Sequence, residues 1–115
     1  AVGAAGEIGL FQIMPNTARH WAGRTEHFAP TRKQLFEVPL NAEIAAWYLR
    51  ENLDRFADEA DPLPYALAAY NAGPSRAKRW RRELPEGAQF IESIPFPTTR
   101  DYVGSILEMV RGKEK

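Results

Sequence analysis

Ala66-Leu67-Ala68-Ala69-Tyr70-Asn71-Ala72-Gly73-Pro74 is the stretch that decides the fold. From Tyr65 to Asn71 it holds no charged residue. Alanine and leucine are among the strongest helix formers. A helix without a polar face must be covered on all sides, and its alanines let neighbouring elements approach closely. The segment is therefore expected to be a central, buried helix. Gly73-Pro74 ends it, because proline cannot continue a helix.

Working outward, Asp61-Pro62-Leu63-Pro64 reads as a break ahead of this helix. Before the break, Ala45, Leu49, Leu53 and Phe56 recur at helical spacing and make one apolar stripe. Glu43, Arg50 and Asp54 fall on another side, and Asn41 stands where an N-cap is expected. Glu51 and Arg55 are placed to pair at i, i+4. Further upstream, Pro15 suits the first turn of a helix running to about Ala22. Gly23 to Pro30 reads as a loop, and Thr31 as the cap of a short helix over Arg32 to Glu37 that Val38-Pro39 ends. Residues 1 to 9 are rich in Gly and Ala and read as a loop or small hairpin.

Downstream, Ser75 to Glu83 reads as a basic helix and Leu84 to Gly87 as a turn. Ala88 to Ser93 reads as one or two helical turns. A last helix begins after Pro97, with Thr98 and Asp101 spaced like a capping box. Its inward face should carry Tyr102, Val103, Ile106, Leu107 and Val110, and Gly112 should stop it. The fold class expected is all-α, with a possible N-terminal β-hairpin, and the 115 residues suit a single domain.

Composition removes several function classes. Fifteen acidic residues balance fifteen basic ones, so nothing favours a strongly charged partner such as nucleic acid. The run Arg76, Lys78, Arg79, Arg81 and Arg82 around Trp80 is better read as a solvated helix face with its tryptophan turned inward. No apolar run is long enough to span a membrane, and no signal peptide is written in the chain. With no cysteine, and with His20 and His27 lacking partners at ligand spacing, no metal or cofactor is expected. Trp21, Trp47 and Tyr48 could stack on sugars, but core packing is the better reading.

Two phrases offer candidate site residues. In Gly9-Leu10-Phe11-Gln12-Ile13-Met14-Pro15-Asn16-Thr17-Ala18, the Gln12 amide sits among apolar residues and needs partners if buried. It either ties down its own loop or faces a ligand, and Met14 either fills core or lines the same surface. In the second phrase, Tyr70 and Asn71 put polar tips at the end of an apolar helix. Tyr70 is a core aromatic or a site residue, and Asn71 a helix cap or a site residue.

Together these phrases resemble the lytic transglycosylase (SLT) domain, whose fold is lysozyme-like. Its Gly-Leu-Met-Gln-Ile-Met-Pro-x-Thr-Ala run is matched here with Phe11 in place of the first methionine. The Ala-Tyr-Asn-Ala-Gly phrase is matched at Ala69 to Gly73. A third phrase, Ile94-Pro95-Phe96-Pro97-Thr98-Thr99-Arg100-Asp101-Tyr102-Val103, is similar to the family's Ile-Pro-Phe-x-Glu-Thr-Arg-x-Tyr-Val, with Thr98 standing for the glutamate. The resemblance runs from Ala1 to about Val110.

The resemblance implies that Phe11, Gln12, Met14, Tyr70 and Asn71 contact glycan. It also implies cleavage of the β-1,4 bond between N-acetylmuramic acid and N-acetylglucosamine in peptidoglycan, with a 1,6-anhydro product. The implied setting is the periplasm or cell envelope of a bacterium, and the implied state a monomer. In the family, a Glu-Ser pair precedes an Ala-Val-Ser stretch. Ala1-Val2-Gly3 matches that stretch with Gly3 for the serine, which places the catalytic glutamate upstream of residue 1. The chain then lacks the family's first helix and its acid, and is expected to be inactive alone, with Glu7 the only nearby substitute. The alternatives are a non-catalytic peptidoglycan-binding module and a lysozyme-type hydrolase.

Overall fold

The computed structural model describes residue 13 and residues 15–112. Among them the regular elements are seven helices: α1 (Pro15–Thr25), α2 (Arg32–Leu35), α3 (Val38–Arg55), α4 (Leu63–Ala72), α5 (Pro74–Glu83), α6 (Ala88–Ser93) and α7 (Pro97–Gly112). The hairpin expected over residues 1 to 9 lies outside the described residues. The chain divides into two compact units, Ala1–Arg50 and Glu51–Lys115.

In the first unit, α1 buries Ala18, Trp21 and Ala22, the i, i+3, i+4 set of one helical face. It runs three residues past its expected end. Gly23 does not stop it; Glu26 does, in the left-handed conformation at φ 60°. The His27 amide then donates to the Ala22 carbonyl at 2.9 Å, which closes the helix as a Schellman motif. The His27 ring stacks on Trp21 at 4.5 Å, the contact that usually accompanies such an end. Thr31 caps α2 as expected, completing a capping box with Gln34 in both directions.

Val38-Pro39 does not end an element but begins one, because proline is tolerated in a first helical turn. Asn41 is therefore inside α3 and not its cap. It is fully buried and donates from Nδ2 to the Leu35 carbonyl at 3.0 Å, satisfying a carbonyl at the end of α2. Ile44 and Ala45 are buried on the same face. The Trp47 ring meets His20 edge-on at 5.2 Å, so it packs within its own unit.

The second unit takes up α3 at Glu51, where the expected Glu51–Arg55 pair forms at 2.7 Å. Such a pair contributes a few tenths of a kcal/mol, about 0.3. The centre of this unit is α4, in which Pro64 to Ala69 are all buried. It packs against α5 and α7, and α6 packs against α7. Ala66, Ala68, Ala69 and Ala77 are almost completely buried. Tyr65 lies between Phe56 and Phe90, with ring centroids 5.7 and 4.5 Å away. Trp80 is buried as expected, and α5 turns its basic residues outward.

Two expectations for α7 need correction. The helix begins one residue earlier than its expected cap: Arg100 N donates to the Phe96 carbonyl at 2.9 Å, so Thr98 is already in the first turn and exposed. Val103 and Leu107 are buried as expected, but Val110 is 48% exposed. Thr99 occupies the inward face in the first turn, at 1% exposure.

Candidate functional site

Two helix ends build the site in the second unit. The α4 helix carries Tyr70 and Asn71 at its C-terminal end, and α7 carries Thr99 and Tyr102 in its first two turns. Because α4 packs against α7, these side chains meet in two pairs. The Thr99 hydroxyl donates to Asn71 Oδ1 at 2.7 Å. The Tyr70 and Tyr102 rings lie parallel within 7°, with centroids 6.2 Å apart. Tyr70 is half-buried and Asn71 exposed, so the polar tips of α4 reach the surface where the rest of the helix does not.

The backbone after Asn71 explains why α4 ends there. Gly73 has φ 101° and ψ 148°, a conformation restricted almost entirely to glycine. It lets Pro74 open α5 at once, with proline in its favoured first-turn position. Arg76, one turn into α5, donates to the Ala72 carbonyl at 3.2 Å and so satisfies one of the open carbonyls of α4. Its guanidinium also lies 4.9 Å from the centre of the Phe96 ring, just ahead of α7. Trp80 meets the same ring edge-on at 5.3 Å. Phe96 thereby holds the start of α7 beside the end of α4.

Burial pushes the Tyr102 phenol up to about 12. A cavity of about 250 Å³ lies elsewhere, around the opposite end of α4, lined among others by Glu59, Tyr65, Glu86 and Phe90. Burial, followed by Glu59 and Glu86, raises the Tyr65 phenol there. Among the described residues no group of acidic or histidine side chains is arranged to hold a metal. No described helix is long and apolar enough to cross a membrane.

Of the residues picked out from sequence, Tyr70 and Asn71 are brought together with α7. Phe11, Gln12, Met14 and Glu7 lie outside the described residues. Thr98 points to solvent. Sequence reading passed over Thr99 and Tyr102 as site residues, though a signal was present. Thr99, Tyr102, Val103 and Ile106 fall on one helical face, and a polar residue on such a face must find a partner.

The helical fold is lysozyme-like. It superposes with TM-score 0.81 and 32% identity on the lytic transglycosylase Slt of Pseudomonas aeruginosa, solved as an inactive mutant with glutamine in place of a glutamate; the match covers 99% of this chain and 19% of that one. Residues 1–91 match the family model of the Transglycosylase SLT domain, and the chain belongs to that family. It is 37% identical over 108 residues to the soluble lytic murein transglycosylase of Salmonella typhimurium, and 35% identical over 108 residues to the protein of that name from Escherichia coli. Each alignment covers 89% of this chain and 16% of the relative. The chain thus spans about a sixth of the length of these relatives.

Proposed function

We propose that this chain is the glycan-cleft portion of a lytic transglycosylase domain acting on peptidoglycan, with residues 1–115 working as one domain. The bond cleaved is the β-1,4 link between N-acetylmuramic acid and N-acetylglucosamine. A glutamic acid donates its proton to the bridging oxygen as the bond to the muramyl C1 breaks, and the substrate's N-acetyl group helps stabilise the charge that develops. The resulting carboxylate takes the proton of the muramyl C6 hydroxyl as that oxygen bonds to C1. The 1,6-anhydro ring closes, the acid is regenerated, and no water is consumed.

That acid must begin protonated, which an apolar, poorly hydrated cleft favours. The part-buried Tyr70 and Tyr102 rings, parallel at 6.2 Å, fit such a setting. We assign the acid to a glutamate ahead of Ala1 in the parent protein, on the match of Ala1-Val2-Gly3 to the family's Ala-Val-Ser stretch. Gln12, Met14 and Phe11 join Tyr70 and Asn71 in holding the glycan. The setting is the bacterial envelope or periplasm, and the working state is a monomer.

The observation that carries this reading is the meeting of Tyr70 and Asn71 with the start of α7, in a chain of the SLT family. Co-sedimentation with insoluble purified peptidoglycan tests it. The chain should pellet with the wall, and replacing Tyr70→Ala and Asn71→Ala together should leave it in solution. Equal pelleting of both forms would remove this surface from the glycan site.

A further inference from the structure

We infer that the open cavity at the N-terminal end of α4 binds an aliphatic primary ammonium group, held by the Tyr65 hydroxyl and the carboxylates of Glu59 and Glu86. This site lies at the other end of α4 from Tyr70 and Asn71, and the glycan reading makes no use of it. Its volume of about 250 Å³ suits an amine on a short alkyl stem.

Tyr65 is 6% exposed, and its ring is wedged between Phe56 and Phe90, with centroids 5.7 and 4.5 Å away. A buried tyrosine ordinarily finds a partner for its O–H. Among the described residues the Tyr65 hydroxyl has none. Burial raises its phenol first, then Glu59, Glu86 and, after the opposing Arg81, Asp61. All three carboxylates line the cavity, so the unmet hydroxyl opens toward it.

The same wall carries an excess of negative charge. Arg81 is paired with Glu59, and Arg111 with Asp61 at 2.6 Å. Glu86 has no cationic partner among the described residues. Arg81 Nε takes one oxygen of Glu59 and leaves the other open. No group of side chains there is arranged to hold a metal ion, which leaves an organic cation. A primary ammonium carries three N–H donors and no acceptor. Three acceptors face it: the Tyr65 oxygen, the Glu86 carboxylate and the open Glu59 oxygen. Bonds from an ammonium to a carboxylate are of the stronger, charge-assisted kind. Pro64 and Phe90 supply an apolar wall for the stem. A quaternary ammonium has no N–H to give, and the Tyr65 ring that could receive it is already packed against Phe56 and Phe90.

The test titrates this chain with n-pentylammonium chloride, followed in ¹⁵N-edited spectra, with tetramethylammonium chloride at equal ionic strength as the control. Pentylammonium should give saturable shifts at Tyr65, Glu86, Gly87 and Phe90, with the millimolar dissociation constant expected of so small a ligand. Tetramethylammonium should not. Tyr65→Phe keeps the ring between its neighbours and removes a hydroxyl with no partner to lose. It should fold as wild type does and bind about three- to tenfold more weakly, the range for one hydrogen bond. Glu86→Gln, on the exposed rim, keeps the shape and removes the leftover charge, and should weaken binding to a similar degree. Equal shifts with the two salts would reduce the effect to ionic screening and overturn the site. So would the absence of saturable shifts, or undiminished binding by Tyr65→Phe. Should Tyr65→Phe fail to fold, Glu86→Gln decides: weakened binding supports the site and unchanged binding overturns it.

Discussion

Replacing glycine with alanine should have opposite effects at Gly73 and Gly23. At Gly23, inside α1, a Cβ would meet nothing within 4 Å, and the backbone is already helical. Alanine there gains helix propensity and reduces the freedom of the unfolded chain, for about 0.5–1 kcal/mol of added stability. A Cβ at Gly73 also meets nothing within 4 Å, so no clash enters the reckoning. Its cost is purely backbone, since φ 101° with ψ 148° is a region that side chains other than glycine hardly visit. Strain of this kind costs about 1–3 kcal/mol. The following Pro74 closes one escape, because it keeps the preceding residue extended and away from the helical region. To relax, alanine would have to carry φ to negative values, which swings the start of α5 and pulls Arg76 from the Ala72 carbonyl. Urea denaturation followed by circular dichroism measures both variants. Gly73→Ala should lower the midpoint without changing the slope, and Gly23→Ala should raise it. A neutral or stabilising Gly73→Ala would refute the argument that this junction needs glycine.

Other outcomes follow from single contacts. Thr31→Ala removes the hydroxyl half of the α2 capping box, leaving the backbone donor to Gln34 in place, and should cost about 1 kcal/mol in the same assay. Asn41→Ala deletes a fully buried amide and leaves the Leu35 carbonyl unmet, for a loss of about 1–3 kcal/mol; a surface-like value would mean the amide is not a structural bridge. Tyr102 gives a pH dependence. Its folded value, about 12, lies above the ordinary 10.0, so the unfolded chain ionises first. The stability this residue contributes is complete below pH 10 and is lost as pH rises from 10.0 toward 12. Ultraviolet difference titration should show tyrosine ionisation extending to about pH 12, and Tyr102→Phe should take one tyrosine out of that late part while the raised Tyr65 remains.

The helices that sequence reading placed best are those with a physical reason on both sides. The uncharged α4 between two proline-bearing breaks is one, and α5 with its buried Trp80 is another. Misplaced boundaries came from residues doing less common work. Glu26 holds a left-handed helix end beyond the expected stop near Ala22, and Asn41 serves as a buried bridge where a cap was expected. Thr98 and Val110 were assigned by spacing, which fixes a helix's period but not its first residue or how far its neighbours extend. Of the candidate site, Tyr70 and Asn71 were legible where a phrase named them. Thr99 was not, because its part depends on α7 meeting the end of α4, a tertiary contact between residues 28 apart in sequence.

Mass spectrometry of the glycans released from purified peptidoglycan tests the central claim most directly. It should be run on this chain alone and on the chain extended at its N-terminus by a Glu-bearing helix of the family. The chain alone should release nothing, and the extended form should release fragments ending in 1,6-anhydromuramic acid. Ordinary reducing ends from the extended form would make the site that of a hydrolase. Anhydro ends from the chain alone would place the acid within these 115 residues, with Glu7 first in question.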